Sequence, residues 1–216
     1  MFYTDKQREM QDQFGQRNLA DAAQASIVAD TLDERQTGFI ASRDFFFLST
    51  VNDRGEPSVS HKGGDVGTVK VIDEKTLAFP AYDGNGMFLS LGNIADTAKI
   101  GMLFIDFETP NRLRVQATAT FSDTDPLKGE YPGAIGIVRA RVDQVFHNCA
   151  RYIHKYERVQ ASAYVPDANG EQPHPAWKRI DQIQGVVSEE ARAKTQAAGG
   201  TITEEEYEAK IMSGES

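Results

Sequence analysis

From Asp44 onward, apolar and polar residues alternate in short runs broken by turn residues, the signature of half-buried antiparallel strands. FFFLSTV (45–51) is followed by Asn52-Asp53-Arg54-Gly55, a hairpin signal, and by PSVSHK (57–62) as the return strand. GTVKVID (67–73), a Glu74-Lys75 turn and TLAFPAY (76–82) continue the pattern. A helix is predicted near 86–98. KIGMLFIDF (99–107), Thr109-Pro110-Asn111 and RLRVQATATF (112–121) follow it. A loop with Asp123, Asp125 and Pro126 then leads to AIGIVRARVDQVFHN (134–148). In 112–121 the alternation is clean. Arg112, Arg114, Gln116, Thr118 and Thr120 share one face, and Leu113, Val115, Ala117, Ala119 and Phe121 share the other.

The flanks read as helical. Gln7 to Gln16 is polar, and Leu19 to Leu32 is alanine-rich with scattered apolar positions. Thr31-Leu32-Asp33-Glu34 has capping-box spacing before ERQTGFIASR, which predicts a further short helix. After Tyr164 come Val165-Pro166-Asp167-Ala168-Asn169-Gly170 and Pro173-His174-Pro175, both loop-like. AWKRIDQIQG (176–185) predicts a helix, and Ser188 and Thr203 each offer an N-cap before acidic first turns. The expectation is a mainly β fold with helices (α+β), an antiparallel sheet curling into a barrel. A single domain is expected over residues 1–216: a helical arm (1–43), the barrel (44–148) and a C-terminal loop with helices (149–216).

Charge narrows the partners. A formal net charge of −9 disfavours nonspecific nucleic-acid binding, which needs a basic footprint. No run approaches the roughly 18 apolar residues of a membrane span. The polar start, MFYTDKQREMQDQFGQ, carries no apolar leader. The lone Cys149 leaves no intramolecular disulfide and suits a reducing compartment, so a cytoplasmic location is expected. His61, His147, His154 and His174 are scattered without metal-ligand spacing, and no metal site is expected. Serine-hydrolase and P-loop motifs are absent.

Two stretches carry candidate chemistry. Asp83-Gly84-Asn85-Gly86 lies where a strand gives way to a helix. It reads either as a turn tolerant of positive φ or as a small-residue loop that closes around an anion at a helix N-terminus. Ser60-His61-Lys62-Gly63-Gly64 ends a strand with a hydroxyl, an imidazole and an ammonium before two glycines. It is a polar hairpin end on its own. Beside the 82–87 turn it becomes a locus of donors suited to a phosphomonoester.

Several segments together, in order, resemble the pyridoxamine 5'-phosphate oxidase-like family of FMN-binding split barrels, in a bacterial branch. They are FIASRDFFFLSTVNDRGEP, SHKGGDVGTVKVIDEKTLAFPAYDGNGMFLSLGNI, IGMLFIDFETPNRLRVQATAT and VFHNCARYIHKYER. The resemblance implies a homodimer with two FMN sites at the subunit interface and a flavin oxidoreductase acting on a small-molecule substrate or electron donor. The family's phosphate-motif strand maps onto Ser58, Val59, Ser60, His61 and Lys62, with Lys62 on the lysine that touches the flavin. Its second motif falls on residues 82–90, keeping Asn85 and Ser90 as polar contacts. Met87, Phe88 and Leu89 stand where the family has an Arg-Lys pair.

On the same resemblance, Pro80, Ala81 and Tyr82 line the ring and Gly84, Asn85, Gly86 and Met87 wrap the phosphate. Arg112 lies near a family glutamine position and, with Arg114, supplies charge. His61 is a candidate proton donor if its ring faces the flavin. Trp177, Lys178 and Arg179 are a distant counterpart of the family's substrate-binding stretch. These departures imply that the chain is not a true pyridoxamine phosphate oxidase. Alternatives on the same barrel are a non-catalytic flavin carrier, a haem-binding relative using His147 or His154, or a deazaflavin protein.

Overall fold

The structure is a computed structural model describing residues 2–215. Seven strands form one antiparallel sheet: β1 (Phe45–Val51), β2 (Pro57–Gly63), β3 (Lys70–Asp73), β4 (Thr76–Tyr82), β5 (Lys99–Asp106), β6 (Asn111–Ser122) and β7 (Ala134–Asn148). Their spatial order is β2-β1-β5-β6-β7-β4-β3. In a flat sheet β1 and β4, four positions apart, would be separated by about 19 Å. Yet the Phe46 and Phe79 rings meet edge-on with centroids 5.0 Å apart, and Phe46 stacks on Phe104 at 5.4 Å. The sheet therefore rolls until its inner faces meet, leaving β2 and β3 as the two edges of a split barrel.

Alternation decides what enters that core. Leu113, Val115, Ala117 and Ala119 are buried, whereas Arg114, Gln116 and Thr120 are exposed. Phe121 continues the apolar face but stays 37% exposed, because at the sheet's end its ring lies against the Gly136 backbone. A Cβ at Gly136 would sit 2.4 Å from the ring and 2.7 Å from the Ser122 carbonyl oxygen, which the strand holds in place. Gly136→Ala is expected to cost about 1–3 kcal/mol of overpacking. Urea unfolding checks this, and an unchanged midpoint would refute the clash.

In the N-terminal arm, α1 (Asp5–Gln13) and α2 (Arg17–Ile27) are cross-linked by Arg8–Asp21 and Arg17–Asp12 ion pairs at 2.6 and 2.5 Å. A bridge between Ala29 and Val145 ties the arm to β7. Helix α3 (Glu34–Ala41) buries Ile40 in the core. Its capping box is Asp33 with Gln36, two residues later than the predicted Thr31 with Glu34. The Asp33 carboxylate accepts from Gln36 N at 2.7 Å, and the Gln36 side-chain oxygen accepts from Asp33 N at 3.0 Å. Asp caps as well as Thr, so spacing alone did not separate them. Helix α4 (Leu89–Thr97) follows β4, starting three residues after the predicted onset.

The chain divides between Gln160 and Ala161 into two compact units. In the second, 176–185 is not one helix but two 3₁₀ turns, Ala176–Arg179 and Asp181–Ile183. Ile180 leaves helical geometry (φ −56°, ψ 129°) to form a bridge with Ile202. Helices α5 (Glu189–Ala197) and α6 (Glu204–Ser213) start under the predicted Ser188 and Thr203 caps. No helix among the described residues is long and apolar enough to cross a membrane.

Candidate functional site

Edge strand β2 divides its side chains between two faces. Its register against β1 pairs Ser58 with Thr50, Ser60 with Leu48 and Lys62 with Phe46. Thr50, Leu48 and Phe46 are buried inward, so Ser58, Ser60 and Lys62 share that side. Val59 and His61 face outward.

Helix α4 lies along the inward row. Asn93 Nδ2 donates to Thr50 Oγ1 at 2.9 Å and to Ser58 Oγ at 3.3 Å, and those two hydroxyls are 2.9 Å apart. One helical turn earlier, Ser90 Oγ is 3.3 Å from Ser60 Oγ. Helix and strand therefore run antiparallel, and the helix N-terminus is directed toward the Lys62 end of β2. Lys62 itself is two residues, about 6.6 Å, beyond Ser60.

That end is rich in unspent donors. Phe88 holds the N-cap position in the left-handed region (φ 50°) and gives no side-chain cap, leaving the first N–H groups of α4 without one. Such ends attract anions. Lys62 is partly buried, and burial pulls its pKa below the ordinary lysine value. Among the described residues it forms no ion pair.

The Asp83–Gly86 turn shows the plainer of its two readings at Asn85. Its side-chain oxygen accepts from Met87 N at 3.1 Å, and Gly86 has φ 77°. This closes an Asx-type turn that needs a glycine. Met87, Phe88 and Leu89, in place of the basic pair, are each more than half exposed.

The remaining expected residues lie elsewhere. His61 stacks on Phe45 (5.3 Å, 17°) and meets Phe47 edge-on, on the face opposite Lys62. The rows of the sheet run His61–Phe47–Leu103–Arg114, so Arg114 shares the outer face with His61 but is three strands away. Arg112 is on that face too, paired with Ile105 and Asn148. Its Nε and the Asn148 Oδ1 are buried without hydrogen-bond partners. Pro80 is buried, while Ala81 and Tyr82 are half-buried at a β-bulge. Tyr82 packs against Tyr131, Ala134 and Ile137, and burial, followed by the Asp65 charge, raises its phenol pKa. Trp177 belongs to the second unit, in the 3₁₀ turn Ala176–Arg179, with Lys178 Nζ 5.5 Å from its ring centroid.

Thr50 and Asn93 were missing from the expected set. The signal for Asn93 was its spacing: three residues after Ser90 on a helix, it shares that face. Thr50 needed the β1–β2 register. Among the described residues, no three His, Cys, Asp or Glu side chains gather as metal ligands.

No curated protein matches the chain in sequence. A putative pyridoxamine 5'-phosphate oxidase from Lactobacillus delbrueckii is 25% identical, covering 55% of this chain and 95% of its own, with a TM-score of 0.44. An FMN-binding protein from Syntrophomonas wolfei is 13% identical over 65% and 97% of the two chains, TM-score 0.40. HutZ, the haem storage protein of Vibrio cholerae, is 19% identical over 53% and 93%, TM-score 0.40. The family model described as pyridoxamine 5'-phosphate oxidase matches residues 32–161, a span holding α3, every strand of the barrel and α4. That match takes in more than half of the sequence, and the chain belongs to the pyridoxamine 5'-phosphate oxidase family.

Proposed function

We propose that the protein is an FMN-dependent oxidoreductase whose flavin phosphate is held in the seam between β2 and α4. The observation that carries this is Lys62, a partly buried ammonium with no counter-charge among the described residues, on the end of β2 toward which the uncapped start of α4 is directed. An ammonium in that position costs desolvation energy that a bound phosphomonoester offsets. The residues present fit such a group: Lys62 supplies charge, Ser60 and Ser90 supply hydroxyls, and the first turn of α4 supplies N–H groups. When bound, FMN supplies hydride or electron transfer, while the protein binds and orients it. We take the active form to be a homodimer with the flavin at the subunit interface, the exposed Met87, Phe88 and Leu89 being covered there.

The absorption spectrum of freshly purified protein and an FMN titration followed by fluorescence quenching test this reading. A flavin spectrum or saturable quenching is expected. Lys62→Ala should raise the FMN dissociation constant about ten- to a hundredfold, the range for losing a charge-assisted hydrogen bond. Colourless protein that leaves FMN fluorescence unquenched would overturn it.

A second reading, a binding protein without turnover, is favoured by the apolar Met87-Phe88-Leu89 in place of basic residues. It predicts ligand binding with no NAD(P)H oxidation by quinones, nitroaromatics or oxygen. If the ligand is haem, a Soret band appears and is lost on changing His147, whose two ring nitrogens are buried without partners, or His154. Deazaflavin in place of FMN would show in the same titration.

A further inference from the structure

The chain holds two Asn-Gly pairs, Asn85-Gly86 and Asn169-Gly170, each two residues after an aspartate. Both asparagines are exposed, and both glycines lie in the left-handed region, at φ 77° and 79°. At such a pair the backbone nitrogen after the asparagine is open to attack the side-chain amide, because glycine has no Cβ to shield it. Sequence and backbone leave the two pairs alike. Their hydrogen bonds do not.

At Asn85 the side-chain oxygen accepts from Met87 N at 3.1 Å. The ring closed by this bond contains both Asn85 Cγ and the Gly86 nitrogen, so electrophile and nucleophile share one tight turn. The same bond polarises the Cγ–Oδ1 group and steadies the negative charge that attack would place on Oδ1, as an oxyanion donor does. Asn85 Nδ2, the group that must leave, donates only to the Met87 sulfur at 3.2 Å, a weak acceptor. Gly86 N donates to nothing among the described residues. A Cβ built on Gly86 would meet nothing within 4 Å, so the turn has room to close.

At Asn169 the corresponding nitrogen is spent: Gly170 N donates to the Asp167 carbonyl oxygen at 2.9 Å. The Asp167 carboxylate accepts from Asn169 N at 2.8 Å and from Glu171 N at 2.9 Å. It pins the loop and keeps a negative charge where attack would develop another.

We propose that Asn85 is a site of spontaneous deamidation, selected over Asn169 by the hydrogen bonds of its turn. The Gly86 nitrogen loses its proton and bonds to Asn85 Cγ; the Cγ–Nδ2 bond breaks, and Nδ2 takes up a proton and leaves as ammonia. Water then opens the cyclic imide at one carbonyl or the other, giving aspartate or isoaspartate. No electrons are exchanged. The product carries a new carboxylate just ahead of α4, whose Phe88 supplies no side-chain cap. The proposal does not depend on the flavin reading.

The test holds the full chain in mildly alkaline buffer, digests it at intervals and follows both Asn-Gly pairs by mass spectrometry, with aspartate and isoaspartate peptides separated by chromatography. In the folded protein Asn85 should convert at least about fivefold faster than Asn169, which must first break a neutral hydrogen bond. It should yield isoaspartate as well as aspartate. In concentrated urea, where neither turn keeps its hydrogen bonds, the two rates should converge. The ammonia released early by the parent should be missing from Asn85→Ser, and if that variant fails to fold, the peptide rates of the parent carry the test. Equal rates in the folded protein, faster conversion at Asn169, aspartate without isoaspartate, or the same ratio of rates in urea would each overturn the proposal.

Discussion

Phe46→Ala is expected to lower stability by about 3–5 kcal/mol, the range for deleting a buried phenylalanine ring. Phe46 is 1% exposed and joins parts of the sheet that the hydrogen-bond ladders keep apart. Its ring touches Phe104 on the neighbouring β5 and Phe79 on β4, across the barrel. No ladder connects β1 to β4, so their association rests on side-chain packing, and the cavity left by Ala opens at that closure. The inward row of β2 also shares this face, with Lys62 paired to Phe46. Urea unfolding should show the loss, and Phe46→Leu should recover more than half of it. A Phe46→Ala variant within about 1 kcal/mol of the parent, too small for a core cavity, would mean that the closure is not packed around this ring.

The second large effect is at Asp125. Its carboxylate receives Arg139 Nε at 2.5 Å and Nη2 at 2.9 Å, a two-pronged pair, and also caps Leu127 N at 2.9 Å. The Asp125 side chain is 8% exposed, while that of Arg139 is about a third exposed, so water screens the pair only from one side. Removing the carboxylate strands a partly buried guanidinium. Asp125→Ala is expected to cost about 1–3 kcal/mol, the loss of a two-pronged charged hydrogen bond and a turn cap that water still partly screens. The bond from Arg139, aided by Leu127 N, holds the Asp125 pKa below the ordinary carboxylate value. A depressed acid stabilises the fold above its unfolded value, near pH 4, and that contribution is lost as pH falls through the lower folded value. The stability gap between the parent and Asp125→Asn should therefore be full at pH 7 and shrink below pH 4. A gap that stays constant into acid would show that the pair is not the source.

Much of the barrel could be read before any coordinates because alternation and turn residues act locally. The runs 45–51, 76–82 and 134–148 are strands with those same limits. Features that depend on distant partners were not legible. Ile180 abandons a helix for Ile202, a residue 22 positions later that no local periodicity points to. The bulge in β7 at Asp143, which is skipped between the pairs Gln116–Gln144 and Ala117–Val142, depends on the register of β6 against β7, and nothing local in AIGIVRARVDQVFHN marks it.

For the candidate site, the sequence set Ser60–Gly64 beside the 82–87 turn, and in the structure Ser60 meets Ser90, 30 residues away and just beyond that turn. The five consecutive β2 residues were grouped as one set, however, and strand parity separates His61 from Lys62. Arg112 and Arg114 lie on the outer face with His61, which only the strand order could reveal.

The two-sidedness of β2 makes its positions separable by genetics. Changes at 58, 60 and 62 act on the helix-lined side and leave the outward environment of 59 and 61 standing, and the reverse holds. Any trait that follows the even positions alone belongs to the seam with α4, and any that follows the odd ones belongs to whatever meets the outer wall.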